Sequence, residues 1–272
     1  MEQTASYAAY KKSPHRSIKH STYFESYDAL FGRYRGQPIT FVEIGVLGGG
    51  SLFMWREFLG PQARIIGVDL NPNAKKWEAE GFEIFIGNQS DPAFWEEVKR
   101  AVGPMDVVLD DGGHTYEQQI VTVEALLDNI RDGGMLVVED THTSYMSGFG
   151  PQRYSFMQYV ARLTDRINHR SSLIEGPTDQ RVWSIRVFES IVAFHINRAA
   201  SNRISEITDN GGAHDHAADF RHEDNSAYGR LARFYSGSKM LKRVPGMKWL
   251  ARRGSTLLVG MKSAGQLRRY FR

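Results

Sequence analysis

The sequence predicts a doubly wound α/β fold, a parallel sheet covered by helices on both faces and closed by an antiparallel hairpin. Three observations predict it. Short apolar strands alternate with helical segments between residues 39 and 139. The strands are apolar almost throughout, as in DVVLD and MLVVED, which fits burial on both faces. After the last of them come two β-rich runs separated only by Glu189 and Ser190, a spacing that only antiparallel neighbours allow.

Residues 1–20 are polar and basic and are expected to form a loose arm. Residues 22–34 carry Tyr23, Tyr27, Leu30 and Phe31 at helical spacing and predict a helix leading into the core. Strands are expected at 39–44, 63–69, 82–86, 105–110 and 135–139. The helices between them fall at 51–59, 74–80, 91–100 and 116–130, the third capped by Asp91 with Pro92 at its first position. A helix at 153–168 precedes the hairpin of 182–188 and 191–196. The domain plan is an arm and helix over 1–34, a catalytic domain over 35–198, a polar linker over 199–224 and a basic tail over 225–272.

Composition narrows the function classes. The 272 residues suffice for one large domain or a domain with an appendage. Cysteine is absent, which excludes disulfides and thiolate-bound metals and fits the cytoplasm, the expected location. No apolar run approaches the roughly 20 residues of a membrane-spanning helix, and the first residues lack the apolar stretch of a secretory signal. The net charge of +3 is unevenly spread: residues 225–272 hold twelve Lys or Arg and no acid, so the rest carries nine net negative charges. Such a tail, with Trp249, Leu250, Leu257 and Leu258 among its charges, suits an anionic membrane surface, and peripheral attachment at the inner face is one expectation. A solvated tail or a homo-oligomer contact is the other. Nucleic acid is not expected, because no binding module for it is visible.

The turn after the first strand reads EIGVLGGGS. Glycines let backbone approach a ligand closely, but the pattern from Gly45 fails the G-x-G-x-x-G dinucleotide fingerprint. An acid just before the first glycine suits a cationic cofactor, and Glu43 is placed to stabilise the sulfonium and amino groups of S-adenosylmethionine. Asp69 ends the second strand, where this fold puts the carboxylate that grips ribose hydroxyls. Strand-end capping is the bland alternative for both acids. The segment GNQSD after the third strand is positioned for adenine contacts and reads equally well as a helix cap. The cofactor-binding candidates are therefore Glu43, Gly45, Ser51, Asp69, Gln89 and Asp110.

Strand four ends in DDGGH and strand five in EDTH. Neighbouring strand ends lie about 5 Å apart, so Asp110, Asp111, Glu139 and Asp140 would repel one another without a cation. Oxygen donors select a hard ion, Mg²⁺ first, then Mn²⁺ or Ca²⁺. His114 follows Asp111 through two glycines, close enough to serve as general base. His142 is expected in the pocket wall, while His15, His20 and His195 are expected to be surface or hydrogen-bonded histidines.

With these residues in view, residues 22–196 resemble the metal-dependent sugar O-methyltransferases of macrolide and related antibiotic pathways, which group with rhamnosyl O-methyltransferases and cephalosporin-hydroxylase-like proteins. FVEIGV, GGGSLFMW, GNQSDPAFW, VVLDDGGH and VVEDTHTSYMSGFG carry the resemblance, in order and at the right spacing. It implies a class I methyltransferase sheet, S-adenosylmethionine as methyl donor, Mg²⁺ (or Mn²⁺) on Asp111, Glu139 and Asp140, and His114 as base. It also implies that Tyr145 and Phe149, with His142, border the acceptor sugar of a glycoside, glycolipid or polysaccharide. The chain departs from the macrolide enzymes in lacking their large N-terminal domain and in its basic tail. A catechol-type O-methyltransferase, a nicotinamide dehydrogenase and a non-catalytic S-adenosylmethionine-binding module are the rival readings.

Overall fold

The computed structural model describes residues 4–168, 179–203, 206–213, 221–222, 224–238, 240 and 244–271, apart from the side chain of Gln266. The chain divides into two compact units, Met1–Glu206 and Ile207–Arg272.

The first unit is built on a seven-stranded sheet: β1 (Thr40–Ile44), β2 (Arg64–Asp69), β3 (Glu83–Ile86), β4 (Met105–Asp110), β5 (Ile130–Val138), β6 (Ser184–Phe188) and β7 (Ile191–His195). The spatial order is β3-β2-β1-β4-β5-β7-β6. The first five strands are parallel; β7 runs antiparallel to both β5 and β6. The expected parallel sheet with a terminal hairpin is therefore present. The order reverses at β1/β4, the switch point where ligands bind in doubly wound sheets.

Helices α1 (Ala5–Lys12), α2 (Tyr23–Phe31) and α3 (Gly50–Leu59) accompany one apolar cluster, which includes Phe41, Leu109 and Val137. The other cluster holds Ile44, Val108 and Val138 with residues of α4 (Pro92–Val102), α5 (Tyr116–Leu126) and α6 (Phe156–Ile167). Successive strand residues point to opposite faces, which explains the division. A short helix, α7 (Arg198–Ser201), follows β7. Local chemistry sets the boundaries. Asp91 accepts from the Ala93 N–H at the start of α4, and Thr115 with Gln118 forms a capping box on α5.

Four expectations need correction. Residues 5–12 form a helix rather than a loose arm, because small Ser6 and Ala9 are buried and Tyr7 and Tyr10 pack on Phe24. Asp28 holds the helix start from a distance, accepting from the N–H of Ala5 (2.7 Å) and Ser6 (2.9 Å). The helix predicted over 116–130 stops at Leu126, and a 3-10 turn, Leu127–Asn129, leads into a fifth strand that begins at Ile130. Residues 199–203 are not linker: Ser201 is buried, and the Arg198 guanidinium donates to the carbonyls of Leu127, Asp128 and Ile130. Finally, the basic tail contains two helices, α8 (Ser226–Gly237) and α9 (Met247–Leu267), which pack on each other. Leu241, Lys239, Lys242, Arg243 and Arg272, all counted in the tail, lie outside the described residues.

Asp28→Ala should lower stability by about 1–2 kcal/mol, the scale of a lost helix cap. Urea denaturation measures this, and an unchanged midpoint would show that α1 is not anchored through Asp28.

Candidate active site

The ends of β1, β2, β4 and β5 line a cavity of about 450 Å³, bounded by Ile18, Gly45, Leu47, Asp69, Gln89, Asp111, His114 and Asp140 among others. Gly45 has φ +91°, and a Cβ there would meet the Asp111 carbonyl oxygen at 2.1 Å. Only glycine lets the β1 turn pass so close to the end of β4. Leu47, His114 and Asp140 are non-glycine residues with positive φ (47°, 59° and 53°), and all three line this cavity. Left-handed backbone at such residues costs energy and concentrates at functional sites.

The cofactor candidates separate into two groups. Gly45, Asp69 and Gln89 line the cavity; Glu43, Ser51 and Asp110 lie behind it. Glu43 is buried and accepts from Ser51 Oγ at 2.8 Å and Trp55 Nε1 at 2.9 Å, which ties the start of α3 to β1. Burial pushes its carboxyl up to about 7, against the opposing pull of Lys19. Asp110, one residue before Asp111, points to the other face of the sheet. There it accepts from Gln89 Nε2 (3.0 and 3.1 Å) and the Gly112 N–H (3.1 Å), and burial pushes it up to about 7 as well. Gln89 Oε1 accepts from the Gly113 N–H, so this amide fastens the DDGGH turn. Asp69 Oδ2 accepts from the N–H groups of Val46 and Leu47 and Oδ1 from that of Asn71, leaving acceptor capacity on Oδ1.

The expected cluster of four carboxylates is thus a cluster of three. Asp111, Glu139 and Asp140 converge beside a second cavity of about 150 Å³, lined also by Ile18, Lys19, His20 and Tyr23. Lys19 Nζ lies 2.5 Å from Asp111 Oδ2 and 3.0 Å from Glu139 Oε2. Burial opposes the charge of this lysine, but Asp111 and Glu139 hold it protonated, well above its ordinary value. Tyr27 OH donates to Glu139 Oε1 at 2.6 Å, and Tyr23 OH donates to Asp140 Oδ1. His114 Nε2 stands 3.3 Å from Asp140 Oδ2. Donor atoms of Asp111, His114 and Asp140 lie within 4.8 Å of one another.

Sequence reasoning missed Lys19, Tyr23 and Tyr27 as site residues. The tyrosines were visible only as helix periodicity, and nothing in the sequence marked Lys19. Among the acceptor candidates, His142 Nδ1 is 3.9 Å from Asp140 Oδ1, and its ring lies 5.7 Å from that of His20. Tyr145 is exposed and Phe149 half-buried, and neither lines the two cavities. His15 packs against Phe53 and Trp77. His195 corrects its expectation: its Nε2 is buried without a hydrogen-bond partner, and burial lowers its basicity.

Residues 42–141, the span from β1 to the end of β5 that builds both cavities, match a family model described as a methyltransferase domain. The chain is similar to the 8-demethyl-8-alpha-L-rhamnosyl tetracenomycin-C 2'-O-methyltransferase of Streptomyces olivaceus, 32% identical over 66% of this chain and 51% of that one. Mycinamicin VI 2''-O-methyltransferase of Micromonospora griseorubida is 34% identical over 62% of this chain and 44% of that protein. The MycE methyltransferase of mycinamycin biosynthesis, solved in complex with Mg and SAH, superposes with a TM-score of 0.62 at 29% identity, over 72% of this chain and 53% of that one. The chain spans about half the length of the relatives it matches. The sheet is of the class I methyltransferase type, as the terminal hairpin predicts.

The buried acids give a pH prediction. Glu43 binds its proton more tightly in the fold than in the unfolded chain, so stability falls as pH rises from its ordinary 4.5 through about 7. Glu43→Gln removes this dependence. Its stability relative to wild type should improve by up to about 3 kcal/mol between pH 5 and pH 8. Urea titrations at the two pH values measure the gap, and a constant gap would contradict the burial argument.

Proposed function

We propose that the chain is an S-adenosylmethionine-dependent, Mg²⁺-dependent O-methyltransferase acting on a sugar hydroxyl. The observation that carries this reading is that His114 and Asp140 line the same cavity as Gly45, Asp69 and Gln89. A methyl donor on the glycine turn and an acceptor hydroxyl at the histidine would therefore meet in one space. The relatives named above support the sugar assignment.

The donor set fits a hard divalent ion, because its open atoms are carboxylate oxygens of Asp111 and Asp140 with an imidazole beside them. When bound, Mg²⁺ supplies Lewis acidity that lowers the pKa of a sugar hydroxyl. The protein's own residues do the rest. Asp69 offers Oδ1 to the ribose, Gln89 fixes the turn that carries His114, and His114 takes the hydroxyl proton. Bound S-adenosylmethionine would supply its methyl in line to that oxygen and leave as the neutral thioether S-adenosylhomocysteine, so rate would come from positioning and electrostatics. Tyr145, Phe149 and His142 would border the acceptor.

Asp69→Ala should weaken S-adenosylmethionine binding at least about tenfold, the equivalent of one charge-assisted hydrogen bond. His114→Ala should keep cofactor binding and lose about 10²–10⁴ in rate. EDTA should abolish turnover and Mg²⁺ restore it. Calorimetry and a deoxyhexoside methylation assay, with a catechol as the competing acceptor, measure these outcomes. Full activity of metal-free enzyme, or preference for the catechol, would overturn the reading.

The second unit favours an anionic membrane as docking partner, with the acceptor then a membrane-bound glycolipid. On α9, Trp249, Leu250, Leu257 and Met261 are exposed among Lys248, Arg252, Arg253 and Lys262. Basic residues interleaved with exposed Trp and Leu suit a lipid interface. Among the described residues, no helix is long and apolar enough to cross a membrane. The 272-residue chain should co-sediment with anionic vesicles, and Arg252→Glu with Arg253→Glu should reduce binding at least about 30-fold, at about 1 kcal/mol per basic charge lost. Equal sedimentation of both proteins would refute docking.

A further inference from the structure

The second unit holds a cavity of about 850 Å³ between α8 and α9 that methyl transfer does not use. Each helix gives one face to it. From α8 come Tyr228, Leu231, Ala232 and Tyr235. From α9 come Lys248, Ala251, Arg252, Ser255, Thr256 and Val259. Both sets follow the three- and four-residue spacing of a single helix face. Trp249, Leu250, Leu257 and Met261, exposed apolar residues of α9, fall on the other side of that helix and do not line the cavity.

The two helices are joined at defined points. Asn225 Nδ2 donates to the Leu258 carbonyl (3.2 Å), Lys262 pairs with Asp224 (2.6 Å), and a Cβ on Gly254 would meet the Leu231 side chain at 3.1 Å. These contacts make the helices antiparallel. Yet among the described residues neither helix has a buried one, because small Ala232, Ala251 and Ser255 face the space between them. Covering the half-exposed Tyr228, Leu231, Tyr235 and Val259 with an apolar occupant is therefore favourable. The charges set the rest of its chemistry. Lys248 and Arg252 stand near the N-terminus of α9, whose dipole adds to their positive potential. Residues 225–272 hold no acid, and Asp224 is engaged by Lys262. From Lys248 to Val259 the groove follows about 16 Å of helix. It is a cationic mouth on a long apolar trough.

We propose that the groove between α8 and α9 binds one anionic phospholipid, its acyl chain laid along Leu231, Tyr228 and Val259 and its head group at Lys248 and Arg252. This goes beyond the surface docking described above. A single lipid molecule is held within the second unit, and the exposed face of α9 around Trp249 takes no part in holding it. The chain supplies affinity through burial, and the two cations select a negative head group.

Calorimetry on the 272-residue chain tests this. The probes are lysophosphatidylglycerol below its micelle concentration, lysophosphatidylcholine of the same chain length, and glycerol phosphate, which has the head without the chain. Lysophosphatidylglycerol should bind one to one, at least about tenfold tighter than either of the others. Lys248→Gln with Arg252→Gln should weaken it about 30-fold, the scale of two lost charges. Ala251→Trp, which fills the groove and leaves every charge in place, should weaken it at least about tenfold. The same variant should sediment with anionic vesicles as wild type does, since the Trp249 face is untouched. Its helicity is checked by circular dichroism, and if helicity is lost, Ser255→Leu takes its place. Unchanged lysophosphatidylglycerol affinity in the filled variant, or equal affinity for glycerol phosphate, would overturn the proposal. So would a wild-type dimer in sedimentation velocity that Ala251→Trp dissolves while no lipid binds, which would make a second copy the occupant. Failure of wild type to sediment with vesicles while it binds the monomeric lipid would remove surface docking alone.

Discussion

Parallel strands deliver their carboxyl ends to one edge, and in this chain β4 and β5 deliver acids there together. Asp111, Glu139 and Asp140 repel one another at that edge, and burial of Glu139 aggravates the repulsion. The ammonium of Lys19 is the interaction that makes the arrangement tolerable. Two tyrosine hydroxyls from α2 complete the partnership, so α2 and the strap are parts of the site and not only a cover for the sheet. A buried ion pair is no guarantee of stability, since desolvation can exceed attraction. Its role here is to make a charged floor compatible with a packed interior.

The sheet was legible because its signals are local and periodic. VVLD and MLVV state burial on both faces, Asp91-Pro92 states a helix start, and the two runs around Glu189-Ser190 state a hairpin. The glycine turn and the DDGGH and ED motifs were legible as chemistry. What escaped was tertiary. The alternation of strand side chains sends Asp110 to Gln89 and Thr122, away from Asp111. Glu43 looked like a cofactor ligand because acids at that position face a glycine turn, but Ser51 and Trp55, eight and twelve residues later, claim both of its oxygens. The helix over Ala5–Lys12 has weak periodicity and depends on Asp28, a partner more than twenty residues away.

The strained residues have a common physical cause. Leu47, His114 and Asp140 each stand at the first turn after a parallel strand, where the chain must bend away from the sheet while presenting a group to the cavity. The surrounding bonds hold those bends. Asp69 accepts from the Leu47 N–H, Gln89 accepts from Gly113 beside His114, and Thr143 Oγ1 donates to the carbonyls of His114 and Asp140. Rigidity at the mouth of the cavity is thus supplied by side chains bonded to the backbone of the turns themselves.

The bridge from Lys19 to Glu139 joins residues 120 positions apart, and that from Tyr23 to Asp140 joins residues 117 apart. Contacts of such separation must wait for the loops between them to close. During synthesis the strap emerges first, yet its partners on β5 leave the ribosome only after most of the sheet has been made. The sheet nucleus can condense on local βα pairings while the carboxylate floor remains open to water. Completion of the site is therefore a late event in folding, and a chain stalled or cleaved before β5 would keep its strap without anything for the strap to grip.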